Sequence, residues 1–169
     1  MRVARIHHGS VVDGPGRRSV VQLQGCPIRC PGCHVPETHD PAGGVVLPVA
    51  DVAATALDPS GAPRDGITIS GGEPFFQPEG LLALVRALRA RGCPHLLVYS
   101  GYRLEVLRRR ADREPAVRAV LADVDLLMDG PYVAARAAGA GSWRGSANQR
   151  LLRLGNLPRS VSGGVSGVV

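Results

Sequence analysis

Cys26, Cys30 and Cys33 stand at C-x3-C-x2-C spacing inside the stretch GCPIRCPGCH, and the chain has one further cysteine, Cys93. Gly25 and Gly32 free the backbone of this stretch, while Pro27 and Pro31 stiffen it. A tight loop carrying three thiolates suits a cubane iron–sulfur cluster, in which three cysteines leave one iron open to an outside ligand. The alternative is a zinc knuckle with His34 or another histidine as the fourth ligand. Four cysteines, three of them crowded, do not form a disulfide framework, and in a reducing compartment such a cluster binds metal or does redox chemistry.

A second candidate is SGGEP, Ser70–Pro74. Gly71 and Gly72 let a ligand approach the main chain, and Glu73 sets a carboxylate beside it, which suits an ammonium group. The chain has no lysine, so a phosphate loop of the Walker type is excluded. The same residues could also form an ordinary strand-to-helix turn, with Pro74 or Pro78 opening the helix. Further polar or aromatic residues occur in SGY at Ser100–Tyr102 and in DGPY at Asp129–Tyr132.

The elements around these residues explain their placement. SVVQLQG (19–25), GITIS (66–70), HLLVYS (95–100), VDLLMDG (124–130) and QRLLRL (149–154) read as strands. PVADVAATAL (48–57) and PEGLLALVRALRARG (78–92) read as helices, the second with Leu81, Leu84, Val85 and Leu88 on one face. RLEVLRRRADREPAVRAVLA (103–122) is helical with a break near Pro115. Alternation of this kind predicts a mostly parallel α/β sheet with crossover helices. Ligands of such sheets bind beyond the carboxyl ends of the strands. The cysteine loop, SGGEP, SGY and DGPY each follow a strand, so parallel strands would bring all four to one edge and one site.

Composition sets the frame. At 169 residues the chain makes one domain with a real core. Its net charge of +6 is carried entirely by arginine. The run RRRADR (108–113) reads as a solvated helix face rather than a nucleic-acid strip, having no interleaved aromatics. No apolar run reaches membrane-spanning length, and the opening MRVARIHHGS lacks a leader's apolar core, so a cytoplasmic location is expected. Cys93 reads as a small buried residue.

C-x3-C-x2-C after one strand and GGEP after the next resemble the radical S-adenosylmethionine (SAM) superfamily. VDGPGRRSVVQLQGC (12–26) and CPGCHVPETHD (30–40) are similar to glycyl-radical-enzyme activases, and DGPYV with WRGSANQRLL (143–152) resembles the short activators of anaerobic ribonucleotide reductase. The likeness runs over residues 5–154. His39 and Val35 depart from it, standing where activases often carry Trp and Asn, and both flank the cysteines.

The resemblance implies a radical SAM fold, either a partial (β/α) barrel or an open, mostly parallel sheet. Chain length gives residues 1–158 as one domain, and 159–169, without periodicity, read as a flexible tail. It implies one 4Fe-4S cluster on Cys26, Cys30 and Cys33, and SAM held by Ser70, Gly71, Gly72, Glu73, Pro74, Ser100 and Asp129. The implied activity is reductive cleavage of SAM to a 5′-deoxyadenosyl radical that takes hydrogen from a glycine Cα of a partner. The partner would be a glycyl-radical enzyme, and the electron donor a protein such as flavodoxin or ferredoxin. Arg144, Asn148 and Arg150 would meet SAM or the partner. Two other functions stay open at this point: a radical SAM enzyme acting on a small molecule or peptide in specialised metabolism, and a non-catalytic metal or nucleic-acid binding module.

Overall fold

A computed structural model describes residues 1–58 and 64–154; the expected tail at 159–169 lies outside the described residues. One sheet holds seven strands: β1 (Arg2–Ser10), β2 (Arg18–Leu23), β3 (Val45–Val46), β4 (Gly66–Gly71), β5 (Leu96–Ser100), β6 (Leu126–Asp129) and β7 (Arg150–Arg153). Their spatial order is β3-β1-β2-β4-β5-β6-β7. The central strands β2, β4, β5 and β6 run parallel, and β1, β3 and β7 are antiparallel to their neighbours. The outer strands β3 and β7 do not pair with each other, so of the two expected architectures the open sheet is the one formed.

Strand β2 is buried along its whole length, as a central strand covered on both faces must be. Four helices complete the fold: α1 (Val49–Ala56), α2 (Pro78–Ala90), α3 (Leu104–Ala111) and α4 (Pro115–Asp123). Pro78 starts α2 at its first turn, and Leu81, Leu84, Val85 and Leu88 form its buried stripe. The helix ends where Gly92 turns left-handed, at φ +80°, and the Cys93 N–H returns to the Leu88 carbonyl. The break foreseen near Pro115 is real: Pro115 opens α4 after α3 stops at Ala111. The helices cover one face of the sheet, where Val21, Leu23, Ile67, Ile69, Leu96 and Val98 join their apolar stripes. On the other face Leu97, Leu126 and Met128 form a smaller cluster with Tyr99, Trp143 and Leu151. Cys93 is buried, as expected. Among the described residues no helix is long and apolar enough to cross a membrane.

Strand β1 was not expected. Its sequence, RVARIHHGS, lacks apolar alternation because only Val3 is buried, and its pairing with β2 is interrupted by two register shifts.

At the amino ends of the parallel strands sits a fully buried arginine, Arg18. Its Nε donates to Thr68 Oγ1 at 2.6 Å, its Nη1 to the Pro15 carbonyl at 3.0 Å, and its Nη2 to the Ile67 carbonyl at 2.7 Å. His95 lies against the same Nη2, with Nδ1 at 3.2 Å. Burial pulls the guanidinium down to about 10, still charged at neutral pH. Among the described residues no carboxylate contacts it; carbonyl dipoles from β4 and from the chain before β5 stand in for a counter-ion. Replacing Arg18 strands those acceptors in the core. Arg18→Met is expected to lower stability by about 3 kcal/mol in urea melts, whereas Arg17→Met, at an exposed position, is expected to change it by less than about 0.5 kcal/mol.

Candidate cluster and SAM site

The carboxyl ends of β2, β4, β5 and β6 open on one pocket of about 470 Å³. Cys26, Cys30 and Cys33 line it from the loop after β2. Ser70, Gly71, Gly72 and Glu73 line it from the turn after β4, Ser100 and Gly101 after β5, and Gly130 and Tyr132 after β6. The four loops therefore share one site, as parallel strands require.

The cysteine loop is shaped by its glycines. Gly25 has φ +93°, and a Cβ there would lie 2.7 Å from the Phe76 ring. Gly32 has φ +74° and packs against Ala134 and Tyr132. Arg29, between the first two cysteines, is also left-handed, at φ +48°. Burial raises the Cys26 thiol, while backbone N–H groups of Arg29 and Ile28 directed at its sulfur pull the other way. All three thiols are free and half-buried.

This donor set fits an iron–sulfur cube. Three thiols and two N–H groups aimed at sulfur suit a cluster held at three corners. A single zinc ion needs four ligands drawn to about 2.0–2.3 Å. Among the described residues no three His, Cys, Asp or Glu side chains converge into such a site. His34, one of the histidines considered for a zinc knuckle, stands against the Tyr132 ring with centroids 4.5 Å apart.

The glycine turn is fastened to the cysteine loop through main chain. The Gly72 N–H donates to the Leu23 carbonyl at 2.8 Å, and the Glu73 N–H to the Gly25 carbonyl at 2.9 Å. A Cβ on Gly72 would sit 2.3 Å from the Gly25 oxygen. The Glu73 carboxylate turns inward and is completely buried. It accepts from the Phe75 N–H at 3.0 Å, the Gly101 N–H at 2.8 Å and the Ser100 hydroxyl at 3.0 Å. Pro74 is buried behind it, opening a short 3-10 turn. Asp129 is fully buried and does not line the pocket. Its Oδ2 caps α3 by accepting from the Leu104 N–H at 2.7 Å, and both oxygens are held by Arg150. Arg150 also bridges to Glu105, and Asn148 donates to the Pro131 carbonyl. Of these three polar residues only Arg144 reaches the pocket wall.

Several lining residues were missed from sequence: Gln22, Tyr99, Trp143 and Gln149. Tyr99 donates to the Trp143 carbonyl at 2.6 Å, pinning a residue held at φ +62°. The signal was available in part, since Gln22 is a polar residue inside an apolar strand.

These features bring three free thiols and a glycine turn braced by Glu73 into one pocket. Residues 12–152 match the family described as 4Fe-4S single cluster domain. The anaerobic ribonucleoside-triphosphate reductase-activating protein of Haemophilus influenzae is 30% identical over 159 residues, covering 90% of this chain and 98% of that protein. The protein of the same name from Escherichia coli K12 is 33% identical over 145 residues, covering 82% and 90%. The pyruvate formate-lyase-activating enzyme of Clostridium pasteurianum is 37% identical over 107 residues, covering 60% of this chain but only 44% of that enzyme. The chain thus belongs to the radical SAM glycyl-radical activases, enzymes that use a 4Fe-4S cluster and SAM.

Two predictions follow from the geometry. Gly72→Ala drives a methyl group into the Gly25 carbonyl, and the variant is expected to lose most of its iron on anaerobic reconstitution, read as the iron-to-protein ratio. The second concerns pH. Burial pushes the Glu73 carboxyl up to about 7 from an ordinary 4.5. Between those values the folded chain holds a proton that the unfolded chain releases, so this group's contribution to stability falls as pH rises. His95 acts in the opposite sense: burial and the Arg18 charge pull it to about 4 from 6.5, so its contribution rises over that range. The wild-type profile blends both. The difference between wild type and Glu73→Gln isolates the carboxyl and is expected to fall by on the order of 3 kcal/mol from pH 4.5 to 7.5 in urea melts.

Proposed function

We propose that this activase installs its radical on a glycine Cα of an anaerobic ribonucleoside-triphosphate reductase. The observation that carries the reading is the meeting of three free thiols and the Gly71–Glu73 turn in one pocket at the carboxyl edge of the sheet. The partner is suggested by relatives of matching length that bear that activity in their names.

When bound, the reduced cluster supplies the electron that splits SAM into methionine and a 5′-deoxyadenosyl radical able to take hydrogen from that glycine. Cys26, Cys30 and Cys33 hold the cluster at three corners. The main chain of Gly71 and Gly72 receives the amino end of SAM, and Ser70 lines the same wall. Glu73 works from beneath: its buried carboxylate ties the turn to Gly101 and Ser100, so the loops after β4 and β5 keep one spacing. Asp129 has a similar task, fixing the start of α3 and the end of β7 rather than touching ligand. Tyr99 and Trp143 form an apolar wall that keeps water from part of the pocket. A glycine is the residue best able to enter so crowded a place. Electrons come from an acidic carrier such as a flavodoxin or ferredoxin, matched to a chain of net charge +6. The enzyme works in the reducing cytoplasm, where three free thiols persist.

The test is anaerobic. The chain is loaded with iron and sulfide, reduced, and mixed with SAM and the reductase; 5′-deoxyadenosine and the glycyl radical's electron paramagnetic resonance signal are quantified. Both are expected, and Cys30→Ala is expected to abolish both together with most of the bound iron. SAM cleavage with no radical on the reductase would sink the proposed partner and favour a small-molecule substrate.

A further inference from the structure

Gln22 is the one pocket-lining residue contributed by the interior of β2, and it is 8% exposed. It faces Arg5 of β1 in the strand register. Arg5 Nε donates to Gln22 Oε1 at 2.6 Å. A guanidinium can only donate, so this contact fixes the orientation of the amide: the oxygen faces Arg5 and the NH2 faces away from it. Among the described residues that NH2 has no acceptor. It is not sealed off as His39 Nε2 is, a buried nitrogen with no partner. Gln22 thus lines the pocket with its amide oriented by Arg5 and an NH2 left unsatisfied by the described residues.

The wall next to it is apolar and outward-facing. Val12 lines the same pocket yet is 71% exposed, and Val11 beside it is 62% exposed. Val12 thus brings an exposed apolar side chain to the mouth of the pocket, with Val11 next to it in sequence. Gln22 pairs with Ser70 of β4 in the strand register, beside the wall given above to SAM, while Arg5 and the valines lie on its other side, on β1 and the β1–β2 connection.

From this we infer that Gln22 is a positioning residue for the incoming polypeptide: its NH2, oriented by Arg5, donates to a main-chain carbonyl of the segment that carries the target glycine, while Val11 and Val12 receive that segment's apolar flank. This rests on the reading that the pocket admits a polypeptide. The Gln22 contact would set how deep the glycine sits, and so which Cα faces the radical.

The test uses the cluster-loaded chain and two ligands measured separately: SAM, and the Haemophilus influenzae anaerobic ribonucleoside-triphosphate reductase. Gln22→Leu is expected to weaken reductase binding about fivefold, the worth of one neutral hydrogen bond, with the Kd for SAM unmoved. Gln22→Glu keeps the shape and the Arg5 contact but has no N–H to give, and it is expected to lose as much; a purely structural role would be rescued by it. Arg5→Met, at an exposed position, releases the amide and is expected to give a smaller loss. Reductase binding equal to wild type in both Gln22 variants overturns the inference, and so does a loss that falls on SAM instead. If the wild type cleaves SAM but does not bind the reductase, the partner reading fails, and the assignment of Gln22 fails with it.

Discussion

The joint between the cysteine loop and the glycine turn is the constraint on which the site depends. Two main-chain hydrogen bonds, Gly72 to Leu23 and Glu73 to Gly25, weld the loop after β2 to the loop after β4. Backbones can come this close only where there is no side chain. A Cβ on Gly71 would lie 2.5 Å from Leu23 main-chain atoms, and one on Gly72 would collide with Gly25. The spacing between the cysteine loop and the glycine turn is therefore set by peptide geometry, which is stiffer than any side-chain contact. Glu73 extends the weld to β5 by placing its carboxylate under the Gly101 and Ser100 donors.

The opposite end of the same strands is held by different chemistry. Arg18 gathers carbonyls and a hydroxyl from neighbouring strands into one buried knot. Gly66 makes room for it, since a Cβ there would lie 2.8 Å from Arg18 Nη2. At each end one buried ionisable group is satisfied mostly by main chain, Glu73 at the carboxyl end, where Asp129 is also buried, and Arg18 at the amino end. The upper one is a carboxylate against N–H donors and the lower one a guanidinium against C=O acceptors. Each strand end presents the polarity its buried group requires.

What could be read from the sequence was the part governed by local pattern. The four central strands, the stripe of α2, the break before Pro115 and the convergence of four loops all follow from periodicity and from the direction of parallel strands. The cysteines and SGGEP were legible because their spacing is itself the chemistry. Strand β1 was not, because its residues are chosen for partners across the sheet: Arg5 for Gln22, and His8 for Ser19. Arg17 and Arg18 are identical neighbours in the sequence, yet one is exposed and the other fully buried. Only the meeting of Thr68, Ile67 and His95 decides between them, and those residues are about 50 to 77 positions away. Asp129 and Glu73 were placed correctly at strand ends, but a sequence does not say that a carboxylate there turns inward to brace a loop.

The open sheet has a kinetic meaning. A closed barrel would surround its reactive intermediate with its own walls. Here the sheet does not close on itself, and the rim carries bare valines. At that rim a docked partner would supply the remaining wall. Containment and delivery then become one event, and an uncommitted turnover has nothing to shield it. Such a catalyst discriminates in time as well as in shape, because the vessel is complete only while the correct visitor is seated.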